Sequence, residues 1–224
     1  MNSGISAHDV GRQFIDLQGE RCDAILQILA DGWERASATS KVHSGAGEVE
    51  ITECLRTEMR EVLKAKDADW CKKMTILPGT ESRSNPNLPE PDGRTDIPIL
   101  FQEIREELDE HDPHAIVECK RIAGNDASLC RQYVVEGIDR FKTGKYAGNH
   151  AVGFMAGYLL SDDAKAAAGG INRYLTGHGR QFELLGPSNI RDAPWTRSSR
   201  HPRPQPAEPI DLHHALLAMQ PGAR

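Results

Sequence analysis

Apolar residues in this chain recur at two kinds of spacing, and together these set the order of its elements. Val10, Phe14, Leu17, Ile25, Ile28, Leu29 and Trp33 follow the three-to-four-residue interval of an amphipathic helix, with Gly19 as an interruption, so the N-terminus reads as one long helix or a helical hairpin. Its simplest use is to cover the domain's own sheet; a dimer surface is the alternative. After a small, polar connection from Ser37 to Gly47, the residues Ile51, Leu55, Met59 and Val62 fall on one side of a second helix at about 100° per residue. Trp70 to Leu77 predicts a first strand, and the proline-rich polar stretch from Pro78 to Pro91 a long loop. Gly93 to Phe101 reads as a turn and an apolar strand, and His114 to Ile122 as another, joined by an acidic helix or loop between Glu103 and Asp112.

Further on, Leu129, Tyr133, Val134, Ile138 and Phe141 space out a helix over Ala127 to Phe141. His150 to Leu160 is apolar with regularly placed glycines, which suits a buried central strand on which helices pack closely. A helix from Asp162 towards Leu175, capped by Ser161, and an edge strand over Phe182 to Leu185 follow. The basic, proline-rich run Trp195 to Pro204 either lies along a nucleic-acid backbone or hugs the surface, and Ile210 to Met219 returns as a last strand or short helix. The expected fold is α/β: a mixed central sheet of four to five strands flanked by helices. The expected organisation is an N-terminal helical extension and linker over 1–47, a core over 48–190 and a C-terminal extension over 191–224 packing back on the core.

Composition narrows the class. Among 224 residues there is no apolar run long enough to span a bilayer and no charged-then-apolar leader at the start, so a soluble cytoplasmic protein is expected, with no membrane partner. The cysteines Cys22, Cys54, Cys71, Cys119 and Cys130 are scattered without a C-x-x-C pair, which argues against a disulfide framework or a structural zinc site. His213 and His214 are adjacent, point apart on any regular element, and make a poor metal pair. The net charge of −6 hides an asymmetry: residues 1–112 carry 13 Lys+Arg against 23 Asp+Glu, and residues 113–224 carry 14 against 10. A phosphate-binding face is compatible with an acidic total if the cations gather on it.

The candidate chemistry lies in the strand His114 to Ile122. Side chains alternate along a strand, so Glu118 and Lys120 share one face while Val117 and Cys119 take the other. A carboxylate there can bind a hard cation, and the lysine beside it can orient or deprotonate a water near a phosphate. The plainer alternative is that both belong to a solvated strand face. Asp96, at the start of the preceding apolar strand, can meet Glu118 across neighbouring strands.

Asp96 together with Glu118-Cys119-Lys120 resembles the PD-(D/E)XK nuclease superfamily, in which an Asp on one strand and an acid-x-Lys on the next bind the metal. The resemblance extends over the order of elements from about Glu48 to Leu160. It implies a restriction-endonuclease-like fold and a metal-dependent nuclease acting on nucleic acid, DNA in preference to RNA, with Mg²⁺ as cofactor and Mn²⁺ as a substitute. Asp96 and Glu118 would be the metal ligands and Lys120 a catalytic residue. The literal Pro-Asp pair is Pro91-Asp92, but Asp92-Gly93 has turn chemistry, so Asp96 is preferred and Asp92 kept as the alternative. A Glu from the first core helix completes the site in this superfamily. Glu48 and Glu58 project near the apolar stripe, Glu50 lies at its edge and Glu53 opposite; Glu48 is chosen because it starts the helix and precedes Ile51-Thr52 with a spacing similar to the superfamily's, and its plain role would be a favourable charge at a helix N-terminus. The polar face of the helix after Lys120 offers Arg131 and Arg140, followed by Lys142 and Lys145; of these, Arg131 and Lys142 are phosphate-contact candidates, with Gln132 a supporting residue. Restriction or phage defence is the expected setting, with a homodimer or a partner protein left open. The alternatives are a catalytically silent nucleic-acid-binding or assembly module, a nuclease awaiting an effector, and an α/β protein in which the three residues never meet.

Overall fold

The computed structural model describes residues 15–17, 19–82, 93–108, 113–161, 163–205 and 207–219. Val10, Phe14, Asp92, Asp112 and most of the 78–91 loop lie outside them. Helix α1 spans Gly19–Ser37, α2 Glu48–Ala65, and α3 is a single turn, Asp69–Lys72. Strand β1 is Met74–Ile76, followed by the short hairpin β2 Glu81–Ser82 and β3 Gly93–Arg94, then β4 Ile97–Phe101. Helix α4, Gln102–Leu108, leads to β5, Ala115–Ile122. One continuous helical run follows: α5 Ala127–Tyr133, a π-helical turn Val134–Ile138, and α6 Asp139–Lys142. The chain ends with β6 Val152–Leu159, α7 Ala164–Gly177, β7 Gly186–Pro187, β8 Thr196–His201 and β9 Ile210–Ala218.

The result is an α/β fold with a seven-stranded mixed sheet, order β1-β4-β5-β6-β9-β8-β7, in place of the four to five strands expected. β5, β6 and β9 run parallel at its centre, and the flanking strands are antiparallel. Most of the difference lies past residue 190, where the segment read as an extension supplies β8 and the nine-residue β9, the latter between β6 and β8. Two apolar layers sandwich the sheet. On one face Ile25, Ile28, Leu29 and Trp33 of α1 and Ile51, Leu55 and Met59 of α2 pack on Val117, Cys119, Phe154 and Tyr158. On the other, Tyr133, Val134, Ile138 and Phe141 join Ile171 and Leu175 of α7 over Met155, Leu212 and Leu216. The N-terminal helix therefore covers the sheet, and the Trp33 indole N–H donates to the Ala218 carbonyl at 2.7 Å. Among the described residues no helix is long and apolar enough to cross a membrane.

Three local expectations are corrected. Trp70 and Cys71 sit in or beside the α3 turn, and only Met74 and Ile76 keep the alternation that makes a strand. Helix α7 is capped by Asp163, whose carboxylate accepts from the Ala166 N–H at 2.7 Å, so the cap is not Ser161. Phe182 to Leu185 form no strand, and Phe182 is 95% exposed; the edge is the two-residue β7. The glycines of β6 do admit the helices. A Cβ on Gly157 would stand 3.1 Å from Tyr133 Cε2 and 2.8 Å from Leu216 Cδ2, and one on Gly153 would stand 2.7 Å from Phe141 Cε1.

Asp126 fixes the start of the α5 run by accepting from the N–H groups of Ser128 and Leu129 at 2.8 and 3.0 Å. Asp126→Ala should cost about 1 kcal/mol, read as a lower urea midpoint with an unchanged slope. An unchanged midpoint would mean that the cap does not stabilise this helix.

Candidate active site

β4 pairs with β5 only from Ile99↔Ala115 to Ile97↔Val117. Beyond Val117 that edge of β5 has no strand partner, and its next two N–H groups need acceptors. The Cys119 N–H donates to Asp96 Oδ2 at 2.7 Å, and the Arg121 N–H to Glu48 Oε2 at 3.0 Å. The divergence of β4 from β5, together with the α2 N-terminus, thus draws two acids to one stretch of β5. Asp96 continues the β4 register opposite Glu118. Glu48 is the first residue of α2, so the favourable charge at a helix start and the contact with the site coincide in one side chain.

Glu118 and Lys120 lie on the face covered by the α5–α6 run. The solvated alternative does not hold: Glu118 is 0% and Lys120 6% exposed. The Lys120 ammonium donates to Glu118 Oε1 at 2.7 Å, the Cys119 carbonyl at 2.8 Å and Glu48 Oε1 at 3.0 Å. Its three N–H groups are all engaged. A fifth member arrives from α6: Arg140 Nη1 donates to Glu118 Oε1 at 2.6 Å and to the Tyr146 hydroxyl at 3.0 Å, and that hydroxyl donates to the Arg94 carbonyl at 3.0 Å. Glu118 Oε2 is buried and receives no donor from another residue, and the Glu118 carboxyl lies within hydrogen-bonding reach of the Asp96 carboxyl.

Burial and the Asp96 charge push the Glu118 carboxyl up to about 8, against the pull of Lys120 and Arg140. Burial also raises Asp96, opposed by Lys120 and the Cys119 N–H. For Lys120, burial works against the charge, but Glu118, Glu48 and Asp96 outweigh it, so its titration is raised and it remains an ammonium. The cluster holds three acids and two cations. Its donors fit a hard cation: two carboxylates meet where one buried oxygen receives no donor. Asp96 and Glu118, with the Cys119 carbonyl beside them, are the oxygens that could hold it. Among the described residues no group of three or more His, Cys, Asp or Glu side chains stands ready as a metal cage.

Four residues singled out in the sequence therefore converge: Asp96, Glu118, Lys120 and Glu48. Glu53 lies outside the cluster, paired with Arg56, and Glu58 pairs with Arg35. Arg131 and Lys142 are not at the site. Arg131 is exposed and faces Glu136 at 3.6 Å, while Lys142 donates to Glu183 Oε1 at 2.7 Å. Glu183 belongs to a separate buried chain: it bonds His201 Nδ1 at 2.8 Å, His201 Nε2 meets Ser199 Oγ at 2.6 Å, Ser199 Oγ meets His214 Nε2 at 2.7 Å, and His214 Nδ1 meets the Tyr133 hydroxyl at 3.0 Å. This chain satisfies the polar side chains of β8 inside the core. His213 faces the other way, against Phe154, so the adjacent histidines share no ligand position. All five cysteines are free and buried.

Arg140, which the spacing marks only as a polar-face cation beside Arg131, is the site residue not singled out in the sequence. Seven residues after the buried Tyr133, it would stand almost directly in line with it on an unbroken α-helix. The wider π turn sets the helix back by about one residue, so Phe141 takes the inward position and Arg140 moves to the flank, within reach of Glu118. Gly137 in that turn lies close over the site strand, where a Cβ would be 2.5 Å from Met155 Cε and 3.6 Å from Lys120 Cγ. Comparison of the chain with protein-family models, curated proteins and solved structures gave no match.

Proposed function

We propose that the chain is a metal-dependent nuclease of the PD-(D/E)XK kind with a restriction-endonuclease-like core, hydrolysing phosphodiester bonds of nucleic acid, DNA in preference to RNA, in restriction or phage defence. The observation that carries this reading is the meeting of Asp96, Glu118, Lys120 and Glu48, from three separate elements, at the point where β4 leaves β5. Charged groups buried together cost several kcal/mol unless they are paired or have a task, and Glu118 keeps one buried oxygen without a donor.

With Glu118 holding its proton the cluster is neutral, two carboxylates against two cations. A divalent cation that displaces that proton would leave the cluster net positive, as binding a phosphodiester requires. Mg²⁺, or Mn²⁺ in its place, held by Asp96 and Glu118 would polarise a phosphoryl oxygen and acidify water. Lys120 stays protonated, so its work is to donate a hydrogen bond that orients the attacking water and meets developing charge, not to remove a proton. Because its three N–H groups are engaged, it must exchange one partner to do so. Glu48, at 33% exposure the least buried acceptor side chain, is the one to exchange. Hydrolysis in the resembling family leaves a 5′-phosphate.

The saturated Lys120 also supports a second reading, a silent nucleic-acid-binding or assembly module that retains this arrangement as an ion-pair cluster. One experiment separates the two. Purified wild-type and Glu118→Ala protein are incubated with plasmid, linear duplex, single-stranded DNA and RNA, in Mg²⁺, Mn²⁺ or EDTA. The nuclease reading expects metal-dependent cleavage that disappears in the variant. Cleavage that survives EDTA or Glu118→Ala would sink the assignment, and no cleavage of any substrate would favour the silent module.

A further inference from the structure

The Arg140 guanidinium is only partly used by the protein. Nη1 spends its N–H groups on Glu118 Oε1 and the Tyr146 hydroxyl, whereas Nε and Nη2 make no hydrogen bond among the described residues, and the side chain is 30% exposed. Those two nitrogens form the planar donor pair that matches two oxygens of one phosphate. The other cations of this helical run are committed elsewhere, Arg131 to Glu136 and Lys142 to Glu183.

Arg140 is also held in place. The Tyr146 ring lies 5.4 Å from its Cζ, and the same tyrosine is buried edge-on against Phe141, at 6.0 Å between ring centroids. By donating to the Arg94 carbonyl, Tyr146 ties the guanidinium to the backbone two residues before Asp96, while Arg140 itself ties to Glu118. The clamp thus spans both acid-bearing strands. Gly93 leaves room for this: a Cβ there would lie 3.2 Å from the Tyr146 hydroxyl.

We propose that Arg140 presents its free Nε/Nη2 edge to the non-bridging oxygens of a substrate phosphodiester beside Glu118, and that Tyr146 is the positioning residue that aims it. The identity of the phosphate's owner as nucleic acid rests on the nuclease reading; the anion site itself does not. A fixed fork next to the acids places one phosphate in register with them, whereas a lysine at position 140 would supply charge without the two parallel donors.

The test uses ¹⁵N-labelled full-length protein in Mg²⁺, titrated with dimethyl phosphate, a phosphodiester with no base or sugar. The readout is the Nε–H resonance of Arg140, identified by its loss in Arg140→Lys. Saturable movement of that resonance is expected, with several-fold weaker apparent affinity in Tyr146→Phe. A resonance that stays still through the titration, while others move or none do, overturns the proposal. With a cleavable duplex, Arg140→Lys should lose about 10²- to 10³-fold in kcat/KM, as for removal of one oxyanion donor, and Tyr146→Phe should raise KM more than it lowers kcat. Wild-type turnover by Arg140→Lys also overturns it. A wild-type chain that binds the diester at Arg140 yet cleaves no nucleic acid supports the anion site and removes the nuclease reading alone.

Discussion

Lys120→Ala should lower cleavage by about 10²- to 10⁴-fold, the range for a positioned proton-bearing group, while a divalent cation still binds. The ammonium touches all three partners through N–H groups, so the substitution removes the donor to the attacking water but neither carboxylate proposed to hold the metal. Its cost to the fold is limited by chemistry already present. Glu118 keeps Arg140 at 2.6 Å, and its carboxyl, titrating near pH 8, can take a proton instead of standing as an uncompensated buried charge. Calorimetric titration with Mg²⁺ should therefore give a binding isotherm for Lys120→Ala and none for Glu118→Ala. Cleavage at the wild-type rate by a folded Lys120→Ala would remove the lysine from the mechanism. Loss of Mg²⁺ binding along with cleavage would make it a scaffold for the acids rather than a participant.

How far the sequence reveals this site depends on what each residue's position is made from. Glu118 and Lys120 were legible because a period of two fixes their common face whatever else the sheet does. Glu48 could be separated from Glu53 by helical angle, since the Ile51, Leu55 and Met59 stripe sets which side meets the sheet. Asp96 could be preferred to Asp92 because Asp92-Gly93 has turn chemistry while Asp96 leads directly into the apolar strand, and Asp96 is the acid found opposite Glu118, whereas Asp92 lies outside the described residues. The spacing put Arg140 on the polar face beside Arg131 but gave no ground for choosing it over Arg131 and Lys142. Its flank position depends on a π turn, and no 3.6-residue pattern predicts one.

The C-terminal strands were obscured for a different reason. Periodicity marks a strand when its inward face is apolar, and Thr-Arg-Ser-Ser-Arg-His in β8 offers no such alternation. Its buried positions are Thr196, Ser199 and His201, which are paid for by hydrogen bonds to one another's neighbours and not by transfer of apolar surface. β9 carries the complementary half, with His214 pointing into the same polar chain. A hydropathy pattern sees each strand alone, whereas the pairing of β8 with β9 is what satisfies both. β1 fails differently: it is only three residues long, and the tryptophan that made the run look extended sits in the helical turn before it.

Without metal, Glu118 should make the folded chain lose stability as pH rises from about 4.5 through about 8, and with the opposing histidines the net maximum should lie near pH 7. The carboxyl takes up its proton near pH 8 when folded against 4.5 for the ordinary group, so across this window the folded chain holds a proton that the unfolded chain has lost. Folding stability then falls as pH rises, and levels off above pH 8. Asp96, raised by the same burial, acts in the same direction from lower pH. Below about pH 7 the opposite sign takes over. Burial depresses His201, His213 and His214, the unfolded histidines protonate first, and stability falls as pH drops. Lys120 and Tyr146 titrate above the window, and Arg140 stays charged throughout. The Glu118 share of the change over pH 6.5 to 8 is on the order of 1–2 kcal/mol, or roughly 2–8 °C in Tm for a chain of this size, read as the difference between the wild-type and Glu118→Gln profiles because the histidines oppose it up to about pH 7.5. Glu118→Gln, which cannot titrate, should flatten that limb and leave the acidic one in place. Mg²⁺ should raise Tm more at pH 8 than at pH 6.5, because a cation competes with the proton for the same oxygens. Wild-type and Glu118→Gln profiles of equal slope from pH 6.5 to 8 in EDTA would show that Glu118 is already ionised in the folded chain, with Lys120 and Arg140 prevailing over burial.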